Sequence, residues 1–403
     1  MTQTIASQAK PTAVPAVQPD TEFQTGEVFT VAGGHFVHDS FGAFLAPLLP
    51  LIRDALGTSY TGAGGLAIFT QLPSLLTPFI GYLADRISVR YFVILAPATT
   101  ATLMSLIGYA PDYMMLVLLL LAVGVSIAAF HAPAPAMVAR TSGNRVGMGM
   151  SIFMASGELG RTIGPLLVMS GVALWGMDGL WRLAILGWLT SGVLYWGLHS
   201  VAARPAELRA LGLSHMWPTA RRVFPVLAWI MGAKISMVVA ITTYLPIFMS
   251  DEENVSLWLA AAALTILEGA GVAGALLTGT LSDRFGRSRV LYVLLTLSPV
   301  FMLLMLYGPG WLSVALLIAL GLTAISPTPV MLAIVQDQFP DNRAVANGIF
   351  MSLNFLLRAG AILIVGTLAD RFGLTWAFTA AALAAFASIP AVYFLPRKAL
   401  PAD

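Results

Sequence analysis

The sequence has no cysteine and very little charge. Of its 403 residues, 10% are Asp, Glu, Lys or Arg and 58% are hydrophobic, with a mean hydropathy of +0.84. A soluble domain carries about 25% charged residues. The lack of cysteine excludes disulfides and thiolate metal sites. Because so little polar surface is available to cover the fold, we predict that the outside of the molecule faces lipid.

The first 25 residues also lack a long apolar run. They are polar and rich in Pro, Thr and Ala, and they do not contain the apolar core that a signal peptide needs. We predict that residues 1–25 form a disordered cytoplasmic tail.

What the sequence does contain is a series of apolar stretches of about 20 residues or more, the length that crosses a bilayer as a helix. They cover residues 28–52, 61–84, 89–110, 113–139, 147–174, 180–200, 223–249, 256–281, 289–308, 311–338, 344–369 and 374–395. One long polar connection divides them six and six. We predict an all-α membrane protein with bundles over 26–200 and 223–396, a cytoplasmic linker over 201–222 and a cytoplasmic tail over 397–403.

The basic residues lie mainly on one side of these spans. Fifteen of the 21 Lys and Arg fall in segments that share a side with the N-terminus, and three fall in loops on the other side. Cytoplasmic loops carry the excess of Lys and Arg in membrane proteins. We therefore predict a multi-pass protein of the bacterial inner membrane with both termini in the cytoplasm.

The two halves of the sequence repeat each other. Gly81–Arg86 matches Gly279–Arg284 at a shift of 198 residues, and Ser151–Arg161 matches Gly348–Arg358 at a shift of 197. Matches in register at nearly one shift indicate an internal repeat. Because each half holds six spans, the halves are predicted to run parallel, related by an axis along the membrane normal.

This layout and the loop after the eighth span resemble the major facilitator superfamily. The segment Gly279 to Arg289 is similar to its cytoplasmic loop motif, and Gly81 to Arg90 is a degraded copy. The resemblance implies the superfamily's two-bundle fold and a gating role for Gly81, Asp85, Arg86, Gly279, Asp283, Arg284, Gly286 and Arg287. A third fragment, Gly366 to Gly373, falls on the outer side in the predicted topology, where the resemblance gives it no role.

The fifth span carries Gly160, Gly164 and Pro165, which resemble the Gly-x-x-x-Gly-Pro motif of proton-coupled drug antiporters. The trailing glycine pair of that motif is replaced by Val168 and Met169. Small residues four apart let two helices approach closely, and Pro165 permits a bend. Ordinary tight packing therefore remains an alternative to a role in antiport.

Within the superfamily, the chain is most similar to the fosmidomycin-resistance branch. The similarity is carried by His35-Phe-Val-His38-Asp39 in the first span and Phe130-His131-Ala-Pro133 in the fourth, while Glu158 and Arg161 depart from the branch. The resemblance implies proton-driven efflux of a small drug-like or organic anionic solute. Such efflux uses the proton motive force across the lipid bilayer. The sequence contains no phosphate loop or metal-ligand cluster, so no cofactor, metal or nucleic acid is expected, and we expect a monomer.

Ionisable residues inside the spans are the candidates for proton coupling. A charge at bilayer depth costs about 2.5–3.5 kcal/mol or more, so these groups are expected to face a partner or a wet cavity. His35, His38 and Asp39 share one helix face because they stand at i, i+3 and i+4. We predict a proton site at Asp39, His35, His38 and Glu158. The alternative is that Asp39 and a histidine simply brace the helix.

A second group of polar residues inside the spans is predicted to bind the solute. Its members are Arg161, His131, Lys234, Arg358, Glu268, Asn354 and Gln71. Arg161 and Arg358 occupy equivalent places in the repeat, which favours an anion. Several simpler pairings stay open: Arg161 with Glu158, Lys234 with Glu268, and Arg358 with Asn354 or Glu268. His131 would then only cap a bent backbone.

The function predicted on these grounds is secondary active transport by alternating access, as proton-coupled efflux. Proton-coupled uptake of an organic anion is the first alternative. A lipid flippase or scramblase, or a membrane scaffold that does not transport, is the second. An enzyme is not expected, because no nucleophile paired with a base is evident in the sequence.

Overall fold

The computed structural model describes residues 22–76, 80, 90–198, 213–339 and 343–396. Most of the predicted N-terminal tail, the C-terminal tail and the first part of the linker lie outside these residues. So do three predicted gating residues, Gly81, Asp85 and Arg86.

Twelve helical spans follow one another along the chain, as the sequence predicts. The first bundle consists of α1 (Thr25–Gly42, continued by Leu45–Leu56), α2 (Tyr60–Gln71), α3 (Arg90–Ser105), α4 (Tyr113–His131, continued by Ala134–Thr141), α5 (Val146–Trp175) and α6 (Ala184–Leu198). The second bundle consists of α7 (Leu213–Val239, continued by Leu245–Asp251), α8 (Leu257–Phe285), α9 (Arg287–Tyr307), α10 (Ser313–Ala324, continued by Pro327–Gln338), α11 (Arg343–Phe372) and α12 (Leu374–Ala385). The described residues contain no strand, so the all-α prediction is confirmed.

Polar residues at the loops start several of these helices. The side chain of Ser59 accepts a hydrogen bond from Gly62 N at 3.1 Å at the start of α2. Asp112 accepts one from Met115 N at 2.8 Å at the start of α4. Each satisfies one of the four N–H groups that have no partner inside a helix.

Prolines interrupt the fourth helix of each half. α4 breaks before Ala134, next to Pro133, and α10 breaks before Pro327. A proline has no N–H to donate and its ring clashes with the preceding turn. The breaks therefore leave polar backbone inside the bundle, where buried side chains can meet it.

One helix is longer than the sequence predicted. α7 begins at Leu213, within the predicted linker, and so precedes the predicted start of the span at 223. The prediction counted only apolar residues. A helix need not stop where the bilayer ends, and residues such as Arg221 and Arg222 are stable on a helical segment that faces water.

The outside of the bundle is apolar, as expected for contact with lipid. Large side chains such as Leu174 and Trp311 are 69% and 81% exposed. Among the residues that the structure describes, nine helices are long and apolar enough to cross a membrane by length and composition. We call the end where α1 begins and α12 leads to Leu395 the terminal end, and the opposite end the far end.

Candidate functional site

Asp39 on α1 is the centre of a buried polar cluster. Its Oδ2 lies 3.3 Å from His35 Nε2, one turn earlier on the same helix. Its Oδ1 lies 3.4 Å from His131 Nε2 on α4, and Arg161 Nη1 of α5 reaches Oδ2 at 3.5 Å. Asp39 is only 7% exposed, so three helices of the first half surround one carboxylate with three nitrogen groups.

Backbone carbonyls fix the orientation of both imidazoles. His35 Nδ1 lies 2.7 Å from Phe153 O, and His131 Nδ1 lies 3.0 Å from Ile127 O. A carbonyl only accepts, so we assign the Nδ1–H tautomer to both rings. The two Nε2 atoms, 3.2 Å apart, then face each other with lone pairs. One added proton turns this repulsion into a hydrogen bond, with its charge held beside Asp39.

The packing around His35 depends on a glycine that the sequence analysis did not single out. A Cβ added at Gly157 of α5 would stand 2.3 Å from His35 Cε1, so no other residue lets the helix pass this close. The His35 ring also stacks on Phe153 of the same helix at 4.0 Å between centroids. The imidazole is therefore held against α5 by both the ring and the carbonyl of Phe153.

His38 lies beside this cluster but is not bonded into it. It is fully buried and stacks on Phe130 at 4.5 Å between centroids. Its ring nitrogens do not bond to Asp39 or to any other side chain of the described residues. The prediction that His38 takes part in proton coupling stays a prediction, and the geometry favours His35 and His131 as the rings that meet Asp39.

The helix-5 glycines are explained by contact between α5 and α1. A Cβ at Gly160 would stand 2.3 Å from Phe36 O, and one at Gly164 would stand 2.3 Å from Ser40 O. The motif therefore lets the backbones of the two helices touch. This close approach also brings Arg161 to Asp39. The same glycines therefore pack α5 against α1 and position a residue of the site.

The packing role predicts a loss of stability in Gly160→Ala. The added methyl group meets a backbone carbonyl that cannot move alone, and such overpacking costs about 1–3 kcal/mol. Gly360→Ala on α11 is the matched control, since nothing lies within 4 Å of the position of its Cβ and a helical Gly→Ala change gains roughly 0.5–1 kcal/mol. Thermal unfolding in detergent should give a lower Tm for Gly160→Ala only. Equal melting temperatures would contradict the contact.

Arg161 connects the cluster to a cavity between the two halves. Its Nη2 pairs with Glu158 Oε1, three residues earlier on α5. Its side chain is 44% exposed, whereas Asp39 is nearly closed off. One face of the guanidinium thus touches the carboxylates and the other is open to the cavity. The predicted Arg161–Glu158 pair is present and leaves Arg161 able to contact a solute.

The cavity has a volume of about 160 Å³ and is lined by both halves. Its apolar walls come mainly from α1, with Leu45, Ala46 and Leu49 among them. Its polar lining consists of Thr70, Gln71, Arg161, Thr242, Thr243, Glu268 and Arg358. Apolar walls with a few convergent polar groups are typical of small-molecule sites.

Arg358 faces this cavity from the second half, as the repeat predicts. Its Nη2 donates to Thr242 Oγ1 at 3.0 Å and to Thr243 Oγ1 at 3.4 Å. Both threonines lie in a π-helical turn of α7 over Ala240–Tyr244. The sequence analysis missed them, because the extra residue per turn moves side chains out of the face that a regular helix would give them.

Two predicted solute-binding residues lie elsewhere. Lys234 is 3% exposed, is absent from the cavity lining and donates to Ala324 O at 3.4 Å. The break in α10 supplies that free carbonyl, so neither the cavity nor Glu268 satisfies Lys234. Asn354 is not part of the lining, and the threonines take the place that was assigned to it beside Arg358.

The described part of the gating motif makes contacts within one half. Asp283 of α8 pairs with Arg287 of α9 at 2.7 Å. Arg287 also reaches Asp337 of α10 at 3.4 Å and donates to Ser282 Oγ at 2.5 Å. Arg284 is exposed, and Gly286 ends α8 with a φ of +94°. These residues join three helices of the second bundle at the terminal end.

The cluster around Asp39 has a geometry that could hold a metal ion. One ligand atom each of His35, Asp39 and His131 lies within 4.8 Å of the others, and both rings have the carbonyl partners that metal-bound histidines use. Arg161, however, already occupies Asp39 Oδ2. Its positive charge opposes a dication at the same carboxylate, and so the arrangement suits a proton better.

Two six-helix bundles around a central polar cavity are the architecture of a membrane transporter with alternating access. The protein is thus a multi-pass transporter of small molecules and not an enzyme. The sequence model of the Major Facilitator Superfamily matches residues 31–356 and 263–403, and the chain belongs to this superfamily.

Individual relatives match most of the chain, but at low sequence identity. The Fosmidomycin resistance protein of Escherichia coli (strain K12) is 22% identical over 354 residues, covering 86% of this chain and 87% of that one. The "Uncharacterized MFS-type transporter YfnC" of Bacillus subtilis (strain 168) is 24% identical over 357 residues, covering 85% and 86%. A bacterial homolog to the human lysosomal transporter Spinster, in an inward-facing and unoccupied conformation, superimposes with a TM-score of 0.76 at 14% identity, covering 93% and 98%.

Proposed function

We propose that the protein is a proton-coupled exporter of small drug-like or organic anionic solutes in the bacterial inner membrane. The observation that carries the proposal is the contact of Arg161 with both Asp39 and the central cavity. Through this one side chain, the charge state of the buried cluster acts on whatever occupies the cavity.

The coupling proton binds between His35 and His131. Both Nε2 atoms point at the same place beside Asp39, so the proton has two acceptors and a counter-ion. The other charged or titratable groups near Asp39 are His38 on α1 and Glu158 and Arg161 on α5, with Glu268 across the cavity. When the proton leaves, the carboxylate of Asp39 has only Arg161 as a charged partner.

The solute binds in the cavity between the halves. Arg161 and Arg358 supply positive charge from opposite bundles, and the aliphatic side chains of α1 supply apolar contact. Because both halves line the site, a bound solute changes the free energy of the conformations in which the lining residues of the two halves lie close to one another. A ligand shifts such an equilibrium only by its differential affinity for the two states.

Export is the direction suggested by the name of one distant relative. The chain is similar over most of its length to the Fosmidomycin resistance protein, whose printed name describes resistance to a drug. The Gly-x-x-x-Gly-Pro segment of α5 stands at the site itself, between Glu158 and Pro165. In the proposed cycle, the proton enters as the solute leaves, and each occupies the protein in its own half of the cycle.

Uptake of an organic anion together with a proton is the second candidate. The contact of Arg161 with Asp39 favours it. Protonation of the cluster gives Asp39 a second positive partner and so frees Arg161 for an anion in the cavity. By this charge argument the proton and the anion bind better together than apart. The same residues would then run a symport.

Reconstitution in liposomes separates these possibilities. We expect a pH gradient across the membrane to drive a labelled anion against its concentration gradient, with a matching proton flux in the opposite direction for export. Protons and anion moving together would select the second candidate. If none of a panel of organic anions and drug-like compounds moves or dissipates the gradient, proton-coupled transport is wrong.

A further inference from the structure

Two segments of the chain are nearly identical and end at opposite faces of the protein. Gly279–Gly286 and Gly366–Gly373 both read Gly-Thr-Leu-x-Asp-Arg-Phe-Gly, with seven of eight positions the same. Each forms the last turns of a helix, and its final glycine has a positive φ, +94° at Gly286 and +83° at Gly373. The first unit ends α8 at the terminal end, and the second ends α11 at the far end.

The aspartate of the second unit binds the other half of the protein. Asp370 Oδ1 accepts a hydrogen bond from Tyr60 N at 2.6 Å. Its Oδ2 accepts one from Thr61 N at 3.1 Å and one from Thr61 Oγ1 at 2.5 Å. These groups form the first turn of α2, where the free N–H groups and the helix dipole favour a negative charge.

We propose that Asp370 and the first turn of α2 form a latch that holds the far end closed and that breaks when this end opens. In the predicted orientation, the far end is the outer face. The inference requires the alternating access of a transporter, but it does not depend on the nature of the solute or on proton coupling.

Tight packing beside the latch supports this assignment. A Cβ at Gly366 of α11 would stand 2.7 Å from Thr61 Cα, and one at Gly64 of α2 would stand 1.9 Å from the hydroxyl oxygen of Tyr244. Tyr244 is fully buried and donates to Ile362 O at 2.9 Å. The two helices therefore meet without side chains between their backbones, with the ring of Tyr244 filling the space next to them.

A second contact joins the halves at the same end. Arg53 of α1 pairs with Asp251 of α7, and its guanidinium lies 4.3 Å over the ring of Tyr60. The Tyr60 hydroxyl also donates to Asp251 at 3.0 Å. This contact and the hydrogen bonds of Asp370 therefore join the two halves at the same end.

The equivalent aspartate at the terminal end is in a different state. Asp283 is 67% exposed at its side chain and pairs with Arg287 of its own half. Among the residues that the structure describes, the same sequence unit thus contacts the other half at the far end and its own half at the terminal end. Alternating access needs such a difference, because an element that stabilises closure at one end must be released before that end opens.

The distance between the two halves at the far end tests the latch. The chain has no cysteine, so spin labels at Asp54→Cys and Glu253→Cys report only on this end. Both positions are exposed, Asp54 in the last turn of α1 and Glu253 in the loop after α7. Double electron–electron resonance on the full-length protein should show mainly a short distance. With Asp370→Asn added, the ratio of the long to the short distance should rise by about 5–150-fold, the range of typical coupling between two states.

Asp283→Asn is the matched control, because it changes the same position of the same sequence unit at the other end. It should keep the short distance at the far end. Thr61→Val removes one donor without changing shape and should shift the ratio in the direction of Asp370→Asn, but less. If Asp370→Asn does not fold, Thr61→Val decides. An unchanged distance in the folded variants, or the same shift in Asp283→Asn, overturns the proposal.

Discussion

In Asp39→Asn protein, the affinity for the solute should no longer depend on pH. In the unaltered protein, a proton at His35 and His131 and a solute at Arg161 have Asp39 as their common neighbour. Coupling of this kind changes affinity by about 5–150-fold between the two proton states. Asparagine keeps the shape of the side chain but not its charge, so an added proton loses its counter-ion and Arg161 no longer responds to it.

Two measurements check this expectation. Solute binding to the detergent-purified protein, followed between about pH 5 and pH 8, where an ordinary histidine titrates, should vary in the unaltered protein and stay flat in the variant. In liposomes, the variant should exchange solute down its gradient but should not accumulate it in response to a pH gradient. This pattern separates a loss of coupling from a loss of binding.

Asp178→Asn provides the control, since Asp178 is an exposed aspartate between α5 and α6. It should behave as the unaltered protein in both measurements. If binding by Asp39→Asn still changes with pH as before, the coupling proton lies elsewhere. Glu268, which lines the cavity without belonging to this cluster, would then be the next residue to replace.

The sequence predicts the fold well because apolar length alone decides which segments cross a bilayer. This criterion does not depend on how the helices pack, and the described residues contain a helix at each of the twelve predicted spans, although the second span is only partly described. It fails only where a helix continues into water, as at Leu213. Apolar length also does not reveal the breaks in α4 and α10. The sequence shows only a proline at each place, Pro133 and Pro327.

The sequence predicts those contacts of the site that form between residues on the same helix, but not the contacts between helices. His35 and Asp39 are one turn apart on α1, so their contact follows from spacing. His131 was assigned to the solute but lies on Asp39, because the course of α4 past α1 is a property of the packed bundle. Of the two residues that the repeat singles out in the second half, Arg358 lines the cavity and Lys234 meets Ala324 O instead. Equivalent positions share a backbone place, but not the neighbours that their side chains meet.

The fragment Gly366 to Gly373 shows a similar limit. Its motif is visible in the sequence, and its location at the far end follows from the count of spans. Its partner is a set of backbone N–H groups on α2, which no side-chain pattern in the sequence can reveal. The function of the motif thus becomes apparent only from the contact across the two halves.

Arg161→Ala should weaken the binding of anionic solutes about 10–100-fold, since hydrogen bonds to a charged group contribute about 1.5–3 kcal/mol. Arg161→Lys should recover only part of this, because an ammonium group cannot form two parallel bonds to a carboxylate. Neutral compounds that fit the cavity should bind to all three proteins alike. Arg182→Ala, at an arginine that lies over the ring of Trp181 outside the cavity, should change nothing.

The double variant Glu158→Gln with Arg161→Ala distinguishes binding from simple neutralisation. If Arg161 serves only to balance Glu158, removal of both charges should restore the anion affinity and the Tm that Arg161→Ala loses. If Arg161 holds the solute, the double variant should recover only the part of the stability that the unpaired Glu158 carboxylate costs, since Asp39 still lacks Arg161. Its affinity for anions should stay low. Binding curves and melting curves of the unaltered protein, Arg161→Ala and the double variant distinguish the two cases. Restored affinity would remove Arg161 from the solute site and leave Arg358 as its anion-binding residue.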